Sequence, residues 1–148
     1  MSERARNRPL DFLLVEDDED HAILVRRTLE RQPATRAVRH VADGEAAMEY
    51  LHDAPSRGLP DVILLDLNLP RAGGLEVLAR IKRDPRLAAI PVVVLTTSRA
   101  EGDRARAYAE HANSYLVKPI DFVQFVRMVQ VLSDYWGRWN APPPLGPS

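Results

Sequence analysis

Four short apolar runs in this chain end on residues that can do chemistry. Phe12-Leu13-Leu14-Val15 is followed by Glu16, Asp17 and Asp18. Val62-Ile63-Leu64-Leu65 is followed by Asp66, with Asn68 two residues on. Val92-Val93-Val94-Leu95 leads into Thr96 and Thr97, and Tyr115-Leu116-Val117 leads into Lys118. If these runs are parallel neighbours, the polar side chains meet at one end of a sheet. Two or three carboxylates held that close repel one another, so they must share protons or bind a hard cation. Mg2+ takes one or two carboxylates, a carbonyl and several waters, which matches this supply of oxygen ligands. The Lys118 ammonium and a threonine hydroxyl complete a set of charges suited to a transferring phosphoryl group. Asp66 is then the nucleophile that forms an acyl phosphate.

Such a site needs elements that bring it together. Runs of four or five residues rich in Val, Ile and Leu suit strands buried on both faces. The remaining run, Ala37-Val38-Arg39-His40-Val41, alternates more, as a strand nearer an edge would. Helix-length segments lie between the runs. His21 to Arg31 places Ala22, Val25 and Leu29 on one face, and Asp43 can cap a helix carrying Ala46, Ala47, Tyr50 and Leu51. Gly74 to Arg83 carries Leu75, Leu78 and Ile81, and Asp84-Pro85 stops it. Arg99 to Glu110 reads as a weaker helix, and Asp121 can cap a last one running to about Tyr135. Strands alternating with helices imply a parallel sheet covered on both faces. In strand order 2-1-3-4-5 the first and third runs are neighbours at the switch point, so their acids converge.

Composition narrows the rest. The chain has 148 residues, 45% of them apolar and 28% charged, with a formal net charge of -1. That suits one ordinary domain and excludes a disordered or collagen-like chain. No global field draws it to nucleic acid or anionic lipid. Cysteine is absent, which excludes disulfides, thiolate catalysis and cysteine-based zinc sites. No apolar stretch approaches the ~18 residues of a membrane span, and MSERARNRPL lacks the apolar core of a secretory signal. A cytoplasmic protein without nucleic-acid or membrane partners is the expectation. Residues 1-8 read as a flexible leader, 9-135 as the folded domain and 136-148 as a Trp- and Pro-rich tail.

The phrases LLVEDDED, LLDLNLP, VVVLTTS and YLVKP, in this order, resemble the response-regulator receiver domain of two-component signalling. The likeness spans residues 10 to about 134. It implies an α/β, flavodoxin-like (βα)5 doubly wound parallel sheet, strand order 2-1-3-4-5, in one domain. It also implies a histidine kinase as phosphodonor and Mg2+ as cofactor. Carried over by position, Asp66 is the phosphoacceptor, Asp17 binds the metal directly, Glu16 acts through water, and Asn68 offers its backbone carbonyl. Thr96 is the switch hydroxyl, Lys118 the phosphate-binding lysine, and Tyr115 the aromatic that changes rotamer on activation. Asp18 falls after the acidic pair and reads as a loop or cap residue. Pro119 follows Lys118 where the family usually has a cis peptide. The stretch from Leu64 through the Gly73-Gly74 pair to Glu101, the HANSY before LVKP, and the late DYW are similar to single-domain receivers that partner bacterial phytochromes.

Some features depart from the family or allow a second reading. Many receivers carry an acidic or amide residue before glycine after the phosphoacceptor; here the chain reads Leu69-Pro70-Arg71-Ala72-Gly73-Gly74. The glycine pair is expected to change the cap of the next helix without touching the chemistry. The loop Asp53 to Pro60 should bulge at the opposite end of the sheet. Thr97 could be the switch instead of Thr96, and otherwise sits as the small residue beside the pocket. The four histidines, His21, His40, His52 and His111, show no metal spacing, and His111 reads as structural. Arg4, Arg6 and Arg8 read as a basic leader rather than a nucleic-acid contact, and Trp136 and Trp139 as packing or interface residues. A small Mg2+ phosphohydrolase also uses a strand-end aspartate, but normally has a second aspartate where this chain has Asn68. A pseudo-receiver that is never phosphorylated is the remaining alternative, and the complete pocket argues against it. No output domain is expected after the short tail, so the message is expected to pass by binding. Phe122, Phe125, Val129, Leu132 and Trp136 form one helical stripe that suits a core. Met128, Val131 and Tyr135 form a second, which is expected to pair with its own copy in a homodimer; the other reading has the tail, through Trp139 and Leu145, cover it.

Overall fold

The computed structural model describes residues 8–55, 58–70 and 73–143. Five strands alternate with five helices: β1 (Leu10–Val15), α1 (Glu19–Glu30), β2 (Thr35–Val41), α2 (Gly44–Asp53), β3 (Val62–Leu65), α3 (Gly74–Arg83), β4 (Val92–Thr96), α4 (Glu101–Ala109), β5 (Ser114–Val117) and α5 (Phe122–Asp134). All strand pairs are parallel, in the order β2-β1-β3-β4-β5.

Alternation along each strand sends successive side chains to opposite faces. Leu13, Val15, Ile63, Leu65, Val92 and Val94 pack under α2, α3 and α4, with Met48, Leu51, Val77, Leu78 and Ile81. Phe12, Leu14, Val62, Leu64, Val93 and Leu95 pack under α1 and α5, with Val25, Leu29, Phe125, Val129 and Leu132. Register is what assembles the site. Val15 pairs with Leu65, and Leu65 with Val94, so β1, β3 and β4 end nearly level.

Capping follows the expected residues. Asp18, Asp43 and Asp121 each accept a backbone N–H from the residue three positions on, starting α1, α2 and α5. α4 has no side-chain cap and buries only Ala107, in keeping with its weak signal. It ends in a left-handed turn at His111 (φ 71°), with Ala112 N donating to Ala107 O at 3.0 Å. His111 therefore has a backbone role at this turn. The expected bulge over Asp53 to Pro60 falls partly outside the described residues, which omit Ser56 and Arg57.

Three readings of the pattern need correction. β5 was expected to be buried on both faces, but all four of its residues are only half-buried, because it is the second edge of the sheet. Phe122 belongs by period to the core stripe, yet it is 67% exposed. The rest of the first turn of α5, Val123 and Gln124, is exposed as well, and burial begins at Phe125. The last helix ends beside Tyr135 as expected, but the chain after it is not a detached tail. It continues as one wider π turn, Tyr135–Trp139, in which Gly137 sits against Ala34 and half-buried Trp136 joins the core under α1 and α5. Trp139 stays exposed and donates to Asp134 Oδ2 at 3.2 Å. Arg8 pairs with Asp61, while Arg4, Arg6 and Leu145 lie outside the described residues.

Candidate phosphoacceptor site

The carboxyl ends of β1, β3, β4 and β5 deliver Glu16, Asp66, Thr96 and Lys118 to one place. All four are buried. Backbone bonds fix their origins: Asp66 N donates to Val15 O at 3.0 Å, and Lys118 N to Thr96 O at 2.7 Å. Every described peptide bond is trans, so the expected cis bond before Pro119 is absent. Lys118 still enters the pocket, because its own N–H extends the β5–β4 ladder by one residue.

Lys118 Nζ is the hub. It bonds Asp66 Oδ2 at 3.0 Å, Glu16 Oε1, and His21 Nδ1 at 2.8 Å. Asp66 Oδ1 accepts from the Asn68 amide at 3.1 Å, and Glu16 Oε2 from the Asp18 amide at 3.2 Å. Burial pushes the Glu16 carboxyl up to about 7, because removal from water outweighs the attraction of the adjacent ammonium, and the neighbouring Asp66 charge pushes the same way. Burial acts on Asp66 too, but there it is outweighed by a hydrogen bond from Glu16, the Asn68 amide and Lys118, which hold its carboxyl below the usual range. The two acids thus part company. Glu16 is biased toward its protonated form and Asp66 toward its ionised form, which suits Asp66 as the nucleophile.

The other expected site residues take distinct places. Asp17 is exposed at the mouth and makes no hydrogen bond among the described residues. Asn68 is exposed too, and Asp18 serves as the α1 cap. Among the described residues no three acidic or histidine side chains are gathered as a metal cluster. Mg2+ does not need one, since it binds through one or two carboxylates and keeps several waters. An exposed, unbonded Asp17, an ionised Asp66 and the Asn68 carbonyl are hard oxygen donors of that kind. Thr96 Oγ1 accepts from Ser98 N at 3.3 Å, and Thr97 is exposed. Tyr115 Oη donates to Ser98 O at 3.0 Å, which ties β5 to the loop that Thr96 opens.

Two residues had been assigned no part in the site. His21 was grouped with scattered histidines, yet it is the third partner of Lys118. The available signal was its position three residues past the Asp18 cap, on the first turn beside the strand ends. Gly74 packs against the backbone that carries Asp66, while Gly73 has nothing nearby. A Cβ on Gly74 would lie 2.3 Å from Asp66 O and 2.5 Å from Leu67 Cα.

Comparison with known proteins agrees with this geometry. The family described as "Response regulator receiver domain" matches residues 12–130. "Probable methanogenesis regulatory protein FilR2" of Methanothrix harundinacea is 49% identical over 91% of this chain and 88% of its own length. Response regulator Rcp1 of Synechocystis is 41% identical over 88% of this chain and 90% of its own. A crystal structure of Rcp1 in its Mn2+-bound form has a TM-score of 0.80 at 40% identity, covering 92% of this chain and 100% of that one. The phosphorylated cyanobacterial phytochrome response regulator RcpA has a TM-score of 0.86 at 38% identity, covering 92% of this chain and 99% of that one. With a lysine, a threonine and two carboxylates converging at the ends of a 2-1-3-4-5 sheet, and with this match along its length, the chain belongs to the response-regulator receiver domains, the phosphoacceptor modules of two-component signalling.

Proposed function

We propose that this chain takes a phosphoryl group from a phytochrome-type histidine kinase onto Asp66 and signals by a change of surface. The observation that carries the reading is the buried Lys118 Nζ–Asp66 Oδ2 contact at 3.0 Å beside an Asp66 held ionised. Lys118 neutralises charge on the incoming group, and Thr96 offers its hydroxyl to a phosphoryl oxygen. Asp17, Asp66 and the Asn68 carbonyl would hold Mg2+, with Glu16 acting through water, and the ion would supply further charge neutralisation. Thr96 then moves toward the phosphoryl group, and Tyr115 exchanges its bond to Ser98 O as the loop shifts. Turnover of an external phosphoester is disfavoured, since Asn68 carries no titratable proton to give a leaving group. The phytochrome assignment rests on the likeness to Rcp1 and RcpA. FilR2 bears a different regulatory name, so the kinase is the deciding experiment. In phosphotransfer profiling against the host's histidine kinases, a phytochrome-type kinase should label this chain fastest. Preferential labelling by an unrelated kinase would remove the phytochrome link and leave the phosphoacceptor in place.

The second stripe of α5 supports a homodimer. Val131 and Tyr135 are 61% and 50% exposed, and with Met128, Leu116 and Trp136 they line a groove of about 430 Å3 against the half-buried edge strand β5. Exposed apolar surface of this kind is unfavourable at ~25 cal/mol per Å2. A two-fold contact would set each stripe against its copy. Sedimentation at micromolar concentration should show a dimer, which Val131→Glu weakens by at least about tenfold without lowering Tm, as expected for a charge placed in an apolar contact. A monomer at every concentration, with or without phosphodonor, ends this reading.

A further inference from the structure

We infer that His21 is a positioning residue for phosphoryl transfer, holding the Lys118 ammonium at a fixed point through the reaction. The inference rests on the reading of Asp66 as phosphoacceptor. A lysine ammonium has three N–H donors and no acceptor. In this site all three are taken, by Glu16 Oε1 from the end of β1, by Asp66 Oδ2 from the end of β3, and by His21 Nδ1 from the first turn of α1. Since Lys118 can only donate, Nδ1 presents its lone pair and the ring proton sits on Nε2.

Three acceptors on separate elements define a point. Two define only a line, about which an ammonium on a flexible four-carbon stem can swing. The third acceptor is rigidly mounted. The backbone N–H of His21 is bonded to Asp18 Oδ1 at 3.0 Å, and its ring packs on Phe125 with centroids 5.7 Å apart. It also faces an open side. A cleft of about 600 Å3 borders His21, Lys118, Thr97 and Pro119, so without this acceptor water could draw the ammonium outward.

The chemistry explains why a neutral acceptor suits this place. An Asp66 oxygen forms the new P–O bond while the donor's bond to phosphorus breaks, P–N in a kinase phosphohistidine and P–O in acetyl phosphate, and the leaving group departs with the electron pair. Lys118 must then exchange its bond to the Asp66 carboxylate for one to a phosphoryl oxygen. A carboxylate at position 21 would compete for the ammonium. The Nδ1 lone pair instead keeps one ammonium N–H occupied while another passes from Asp66 to the phosphoryl oxygen. A misplacement of 1 Å in such a clamp can cost about 100-fold in rate.

The test uses the full chain with acetyl phosphate and Mg2+. It reads the initial rate of Asp66 labelling, the 15N signal of the Lys118 ammonium, and Tm. His21→Phe keeps an aromatic ring against Phe125 but removes the acceptor. It should hold Tm, slow labelling by about 5- to 10-fold, and broaden or shift the Lys118 signal. His21→Asn places an amide oxygen near the Nδ1 position and should label within about twofold of wild type, even if losing the ring lowers its Tm. A merely structural role predicts the reverse order, with Phe harmless and Asn impaired. Wild-type rates in His21→Phe, or equal slowing in both variants, would overturn the positioning role and leave the Asp66 reading intact. Labelling of wild type at a residue other than Asp66 would overturn both.

Discussion

Asp66→Asn should abolish phosphorylation outright while the protein stays folded. Incubated with acetyl phosphate and Mg2+, wild type should gain one acid-labile phosphoryl group per chain, and the variant none, by intact-mass measurement. A chelator should slow wild-type labelling by at least about tenfold, since carboxylates and phosphoryl oxygens then face each other with one fewer cation. The fold should survive because the charges can rearrange. Asp66 is one of the groups that keep Glu16 protonated. With its charge removed, Glu16 ionises more readily and remains the anionic partner of Lys118. The buried ammonium therefore keeps a counter-charge, and the large loss expected on orphaning a buried ion does not arise. We expect stability within about 1 kcal/mol of wild type, from one mismatched amide contact. Stoichiometric labelling of Asp66→Asn would place the nucleophile elsewhere.

Gly74→Ala should be strongly destabilising although it adds a single methyl group. The position needs no unusual backbone angle, since no described glycine has positive φ. The constraint is close approach. The new Cβ would meet Asp66 O at 2.3 Å, Leu67 Cα at 2.5 Å and Asp66 C at 3.0 Å, all backbone atoms that cannot swing aside. The start of α3 must then lift away and stretch the Gly74 N–H bond to Leu67 O, now 3.1 Å. Overpacking against backbone lies at the upper end of the usual penalty, about 3 kcal/mol, which corresponds to a Tm lower by roughly 10 °C for a chain of this size. Phosphorylation should slow as well, because the displaced atoms carry Asp66. Gly73→Ser is the matched control. Nothing lies within 4 Å of its Cβ direction, and the residue caps α3 without a side-chain hydrogen bond. A serine hydroxyl there should leave stability unchanged or raise it by up to about 1 kcal/mol. Equal Tm for Gly74→Ala and wild type would show that the start of α3 can shift away from the Asp66–Leu67 backbone at no cost.

Much of the fold was legible in local pattern. Apolar runs of strand length, each ending on a polar residue, mark β1, β3, β4 and β5 and the end of the sheet where chemistry gathers. The helix starts at Asp18, Asp43 and Asp121 follow from residue type, because a cap is made by neighbours in the chain. The strand-end identities of Glu16, Asp66, Thr96 and Lys118 were readable for the same reason. A strand places its next residue at its own end, whatever surrounds it.

What the tertiary structure alone decided concerns partners from different segments. Periodicity tells which face of an element a residue takes, but not how far the opposing element extends. Phe122 has the right period and stays exposed, and β5 has the composition of a central strand and lies at an edge. Glu16 and Asp17 are adjacent in sequence. Strand alternation nevertheless turns the first inward, where burial lifts its carboxyl to about 7, and leaves the second in solvent. His21 and Lys118 are 97 residues apart and meet through one 2.8 Å bond. Gly74 matters through an approach of α3 to the Asp66 backbone that depends on how the chain crosses from β3 into the helix. The residue types and their order thus established the chemistry this protein can do. The crossovers and the register of five strands decided which side chains hold Lys118 in place, because those distances depend on packing between elements and no local pattern encodes them.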